Sequence, residues 1–194
     1  MAYNPTNSNR GGESMSISTT APEIKEARAR YEWTQENVAN DLNFSRQMIQ
    51  MVEAGKRRLN EQDAAKLARK LDDGQFAMAM ARRITGGMSA PYLNGIDNHR
   101  MACIMKLVEE LQEAIDIITQ NMRTLIRAQS AEDLSAGERV QIEAMMIETI
   151  EGITAAENTL ARLSKTYDIS LADLWDRHEA QLVQKGYLRK EKDR

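Results

Sequence analysis

From Met101 onward the chain places apolar residues at alternating steps of three and four: Met101, Ile104, Val108, Leu111, Ile115, Ile118, Met122 and Leu125. From Ile142 the same spacing runs through Ile142, Met146, Thr149, Ile153, Ala156, Leu160, Leu163 and Tyr167, with Thr149 its one polar member. Such a repeat is the seam of left-handed helix packing. It predicts two helices of about 30 residues, each roughly 45 Å long at about 1.5 Å per residue. Between them "AEDLSAGE" is short and polar, which makes the two helices antiparallel neighbours in a long hairpin.

The first long helix carries more apolar surface than one partner can cover, because Met105, Leu107, Ala114, Ile117 and Ile126 lie beside its seam. A capping-box-like start at Ser170 to Asp173 opens a third, shorter helix with Leu171, Leu174, Trp175, Leu182 and Tyr187. That helix is too small to cover the hairpin, so the surplus apolar face asks for a second copy of the chain. A homodimer or higher homo-oligomer is expected through Met101, Ile104, Val108, Leu111, Ile115, Ile118, Met122, Leu125, Ile153 and Leu160.

The first half is patterned differently. Thr34 and Ser45 are both N-cap residue types standing before short apolar-periodic stretches. Each has a large apolar residue before it and another at the fourth helical position, Trp33 with Val38 and Phe44 with Ile49, the spacing of a hydrophobic staple. The first of these helices ends at Leu42, where Asn43 tolerates the left-handed backbone of a tight turn. The second ends at Gly55, a natural residue just past a helix C-terminus. Val38, Ala39, Leu42, Ile49 and Val52 converge on a core with Ile24, Leu67, Ala68 and Leu71. The pattern is helix, short turn, helix.

The second of these helices leaves Arg46, Gln47 and Gln50 outside at its N-terminal end. Arg reads guanine and Gln reads adenine through paired hydrogen bonds to base edges, in a groove wide enough for a helix. Lys56, Arg57 and Arg58 follow at once, suited to phosphate oxygens, and Ser45 and Gln35 stand at helix N-termini that can approach the same backbone.

Residues 24–71, "IKEARARYEWTQENVANDLNFSRQMIQMVEAGKRRLNEQDAAKLARKL", resemble the XRE family of lambda-repressor-like helix-turn-helix domains. The resemblance rests on Thr34-Gln35, Val38-Ala39, Ser45 and Glu53-Ala54-Gly55-Lys56-Arg57. It departs from the family at Asn43, where the turn usually has Gly, and after Leu71, where "DDGQFAMAMARRI" is less standard. The resemblance implies a five-helix DNA-binding domain and a bacterial or phage regulator of the prophage or mobile-element type, working in the cytoplasm.

Composition sharpens the picture. Residues 22–87 carry 12 Lys and Arg against 10 Asp and Glu, while residues 88–194 carry 13 against 18, so the slight positive excess sits in the half that would meet an anion. Aromatics are only 5%, no strand-type alternation occurs, and an all-α fold follows. The organisation expected is a disordered tail at 1–20, a helix-turn-helix DNA-binding domain at 21–85, a linker at 86–96, a helical dimerisation domain at 97–188 and a charged tail at 189–194. Cys103 is the single cysteine, which excludes an intramolecular disulfide, and no apolar run or signal peptide marks a membrane or secreted route.

Catalytic and metal chemistry finds little support. His99 and His178 lack the Glu three residues earlier that di-iron bundles use, no zinc spacing occurs, and Gly55-Lys56 has neither flank of a phosphate loop. Glu109, Glu110, Glu113 and Asp116 read as a solvated acidic helix face. No enzyme, cofactor or metal is expected. The expected function is a sequence-specific transcriptional regulator, a repressor on an inverted-repeat operator in double-stranded DNA. The competing expectation is an interaction module, such as an antitoxin or an antirepressor target, whose C-terminal bundle captures a protein partner.

Overall fold

The computed structural model describes residues 21–189, so the tail expected at 1–20 and all but one residue of the tail expected at 189–194 lie outside the described residues. Among the described residues the chain is all-helical, with eight α-helices, one turn of 3-10 helix and no strand. It divides into two compact units, the first ending at Lys70 and the second beginning at Leu71.

The first unit is built on α1 (Ala21–Arg30), α2 (Gln35–Leu42), α3 (Arg46–Glu53) and α4 (Glu61–Leu71). Its helices are short, and α2 and α3 begin on strong caps. Thr34 Oγ1 accepts from the Asn37 backbone N–H at 3.1 Å while Asn37 Oδ1 accepts from the Thr34 N–H at 2.7 Å, a reciprocal capping box. Ser45 Oγ accepts from the Met48 N–H at 3.2 Å. Between α2 and α3, Asn43 takes φ 55° and ψ 39°, and the Phe44 N–H reaches back to the Ala39 carbonyl at 2.8 Å. These local bonds satisfy helix-end groups that would otherwise be orphaned. Ile24, Ala27, Val38, Ala39, Leu42, Ile49, Val52, Leu59, Ala64 and Leu67 are buried. Each large member contributes about 1.5–3 kcal/mol of burial. Of the core expected from sequence only Ala68 is half-buried.

The second unit holds α5 (Gly74–Ile84), α6 (Arg100–Arg127), α7 (Ala136–Tyr167) and α8 (Leu171–Gln184). The long helices have 28 and 32 residues, close to the length the heptads predict. They are antiparallel: Thr159 Oγ1 donates to the Cys103 carbonyl at 3.1 Å, the Gly152 backbone lies opposite Glu110 and Leu111, and Arg127 pairs with Glu138 where the hairpin closes.

The face that closes the hairpin is not the heptad stripe. The residues buried between the helices are Cys103, Glu110, Ala114 and Asn121 on α6, and Gly152, Ala155 and Thr159 on α7. Small side chains here let the two backbones approach. The heptad positions lie one residue further along each helix, and Val108 and Ile115 are 62% and 57% exposed. One residue turns a helix by about 100°. In an antiparallel pair that rotation carries the following residue of both helices to the same side, so Val108, Leu111, Ile115 and Met122 on α6 join Met146, Ile150 and Ile153 on α7 in one exposed apolar face.

Helix α5, expected with the DNA-binding helices, packs on α7. Three residues in a row explain this. Asp72, at φ 45°, uses its carboxylate to accept from the Ala172 N–H at 2.9 Å and so caps α8. Asp73 caps α5 by accepting from the Phe76 N–H at 2.7 Å. Gly74 lies so near α7 that a Cβ there would sit 2.5 Å from Ala161 Cβ. The stretch expected as a linker is likewise tied to α7, because Asn158 accepts from the Leu93 N–H at 2.8 Å and donates to the Pro91 carbonyl at 2.9 Å.

Candidate nucleic-acid interface

Helix α3 is two turns long and strongly two-sided. Ile49 and Val52 are buried, Met48 and Met51 are half-buried, and Arg46, Gln47 and Gln50 are exposed. Positions three and four apart share a helix face, so Gln50 lies beside both Arg46 and Gln47 and these three long polar side chains project together from the first turns of the helix. They form an arginine-and-amide set suited to paired hydrogen bonds on base edges.

Past α3 the chain reverses. Gly55 adopts φ 68°, and the N–H groups of Lys56 and Arg57 both fold back on the Met51 carbonyl, at 2.9 and 3.2 Å. Lys56, Arg57 and Arg58 are exposed just beyond the helix, as the sequence reading places them. Ser45 is exposed too; its oxygen accepts from the helix, and its hydroxyl hydrogen can still donate to an anion.

Gln35 is the exception. Its Nε2 donates to Glu53 Oε2 at 2.8 Å, so the side chain expected at phosphate is engaged inside the unit, and what α2 offers an anion there is its N-terminal backbone. Glu53 is the hub of this network. Arg28 grips it with Nε on Oε1 at 2.8 Å and Nη2 on Oε2 at 3.2 Å, and sends Nη1 to the Trp33 carbonyl at 2.7 Å. The Glu53 side chain is 6% exposed. The hydrogen bond to Glu53 holds the Arg28 guanidinium firmly protonated, its pKa raised from the ordinary value. One carboxylate thus ties α1, the start of α2 and the end of α3 together, fixing the angle at which α3 is presented.

In the sequence Glu53 stands out only as part of a motif, and Arg28 belongs to none. A signal was there: a carboxylate in the last turn of a helix faces the negative end of the helix dipole, and such a residue needs a cation. A recess beside the N-terminus of α3 is lined by Trp33, Thr34, Gln35, Glu36 and Arg46, and a Lys70–Asp41 pair at 3.3 Å links α4 to α2 across the surface.

The residues expected to dimerise lie in the second unit. Met101, Val108, Leu111, Ile115, Met122, Leu125, Ile153 and Leu160 are exposed, and Ile104 and Ile118 are half-buried. His99 caps α6, its Nδ1 accepting from the Met101 N–H at 3.3 Å, and His178 meets Trp175 edge-on with ring centroids 6.0 Å apart. Cys103 is a buried free thiol. Among the described residues no helix is long and apolar enough to cross a membrane. Glu110, expected on a solvated face, is instead buried between α6 and α7.

Among the curated proteins and the solved structures with which the chain was compared, none matches it. Residues 24–72, about a quarter of the chain, match the family model described as Helix-turn-helix; the span opens within α1 and closes just past α4, and these residues are a helix-turn-helix domain.

Proposed function

We propose that the protein is a sequence-specific DNA-binding transcriptional regulator, a repressor that acts as a dimer on an inverted-repeat operator. The observation that carries this reading is the exposed cluster of Arg46, Gln47 and Gln50 on the second helix of a helix-turn-helix domain. In docking of this kind the N-terminal residues of the second helix contact base edges while the preceding helix crosses the backbone. Lys56, Arg57, Arg58 and Ser45 supply the phosphate contacts, and Gln35 acts through Glu53. A helix-turn-helix reads one half-site, so a palindromic operator calls for two copies, and the exposed apolar face of the α6–α7 hairpin is the surface that joins them. The family resemblance supports a bacterial cytoplasmic regulator carried by a prophage or other mobile element.

Selection of bound DNA from a random library by the purified full chain tests the proposal. A palindromic consensus with half-sites about one helical turn apart is expected. Recovery of sequences without any consensus would overturn it. A second reading is favoured by the same apolar face: a protein partner, such as an antirepressor or the toxin of an antitoxin pair, docks there in place of a second copy. Light scattering separates the two, since a monomeric purified chain supports the second reading.

A further inference from the structure

The two sides of the α6–α7 hairpin carry opposite chemistry. Away from the apolar face, one position before the contact residues, stand Glu113 on α6 and Glu148 and Glu151 on α7, and Glu110 sits in the contact itself. Each helix therefore contributes a Glu-x-x-Glu pair, whose i and i+3 members share a face. Glu110, Glu113 and Glu148 each offer a carboxylate oxygen, and these atoms lie within 4.8 Å of one another.

Glu110 makes this more than a solvated acidic patch. Its side chain is only 8% exposed. Oε1 meets Lys106 Nζ at 2.6 Å, but that ammonium is shared with Glu109 at 3.1 Å. Oε2 is buried with no hydrogen-bond partner. A buried carboxylate oxygen ordinarily finds a donor, because leaving it unpaired carries the full desolvation penalty. Here its neighbours are further carboxylates of the same sign.

We propose that Glu110, Glu113 and Glu148 form a binding site for a hard divalent cation, of the Mg2+, Mn2+ or Ca2+ class, that bridges α6 and α7. The donor set is all oxygen and anionic, with no imidazole or thiolate to favour zinc or copper. Glu110 supplies the unpaired oxygen from inside, Glu148 comes from the opposite helix, and Glu113 is exposed, which leaves an open side for the waters that such cations retain. The cation neutralises the convergent carboxylates and fastens the middle of the hairpin.

The test uses the full chain stripped of metal and titrated with Mn2+, followed by the loss of the free-ion signal in electron paramagnetic resonance. One tight Mn2+ per chain is expected, with binding weakened about tenfold or more in Glu110→Gln and in Glu148→Gln, since affinity follows ligand charge. Glu113→Gln, at an exposed position that folding does not need, should weaken it too. Lys106→Met removes the competing ammonium and should tighten it. Mg2+ or Mn2+ should also raise the thermal midpoint of the unchanged chain and not that of Glu110→Gln. Absence of Mn2+ binding to the unchanged chain, or equal binding by all three Gln variants, would overturn the proposal.

Discussion

Replacing Glu53 with Ala tests how α3, the helix proposed to read DNA, is held. The substitution removes the acceptor of three side-chain hydrogen bonds, two from Arg28 at 2.8 and 3.2 Å and one from Gln35 at 2.8 Å. Removing one member of a buried ion pair costs about 3–5 kcal/mol. Arg28 is itself 19% exposed and keeps the Trp33 carbonyl, so part of that penalty is relieved by water. Loss of a carboxylate from the negative end of α3 returns about 0.3–1 kcal/mol. The net expectation is a destabilisation of about 2–3 kcal/mol, set against the ~3–8 kcal/mol that some 50 folded residues carry. Urea unfolding followed by Trp33 fluorescence in a Trp175→Phe background reads the first unit alone, because these are the two tryptophans of the chain. Arg28→Lys, which loses the planar fork, should fall between the two. A midpoint shift worth less than about 0.5 kcal/mol, the range of an ordinary surface change, would mean that the network does not hold α3.

The apolar face is tested by Ile115→Glu, which should leave helical content intact, because Ile115 is exposed within one chain, and should halve the mass seen by light scattering; an unchanged mass places the joining surface elsewhere. Arg46→Ala should relax preference at one operator position by about 1–3 kcal/mol with little effect on random DNA, whereas Lys56→Ala should weaken all DNA alike and lower the salt slope by about one. Proportional losses in both variants would mean that α3 does not read bases. Glu138 is held down to about 2 by the Ser135 backbone N–H, then by the Ser135 hydroxyl and Arg127. Because its folded pKa is depressed, its contribution is present above the ordinary value of 4.5 and is lost as pH falls toward 2. Glu138→Gln should therefore unfold less steeply with acid in that window than the unchanged chain, as thermal scans at stepped pH would show.

What was legible in the sequence was local. Thr34, Ser45, Asn43 and Gly55 announce the helix-turn-helix because caps and left-handed turns are decided by a few neighbouring residues. The long helices were legible in length because heptads count turns. Their partner was not, since a periodicity states that a face is apolar and leaves open what covers it. Val108 and Ile115 thus read as the hairpin's own contact, while the actual contact, one residue away, is made by Ala114, Gly152 and other small or polar side chains that carry no hydrophobic signal. Long-range polar pairings were equally hidden. Asp72 capping α8 spans 100 residues, and Glu110 reads as surface until α7 is laid over it.

The hairpin's arrangement of small residues inward and large ones outward has a consequence for mass action. Much of the apolar area of α6 and α7 is not removed from water by folding of one chain, so its contribution becomes available only on association. With a second copy as the cover, the stability of the second unit rises with the amount of protein present, while that of the helix-turn-helix domain does not. Two melting transitions then respond differently to dilution. A regulator built this way registers its own abundance, because halving the concentration of chains removes more than half of the paired reading heads.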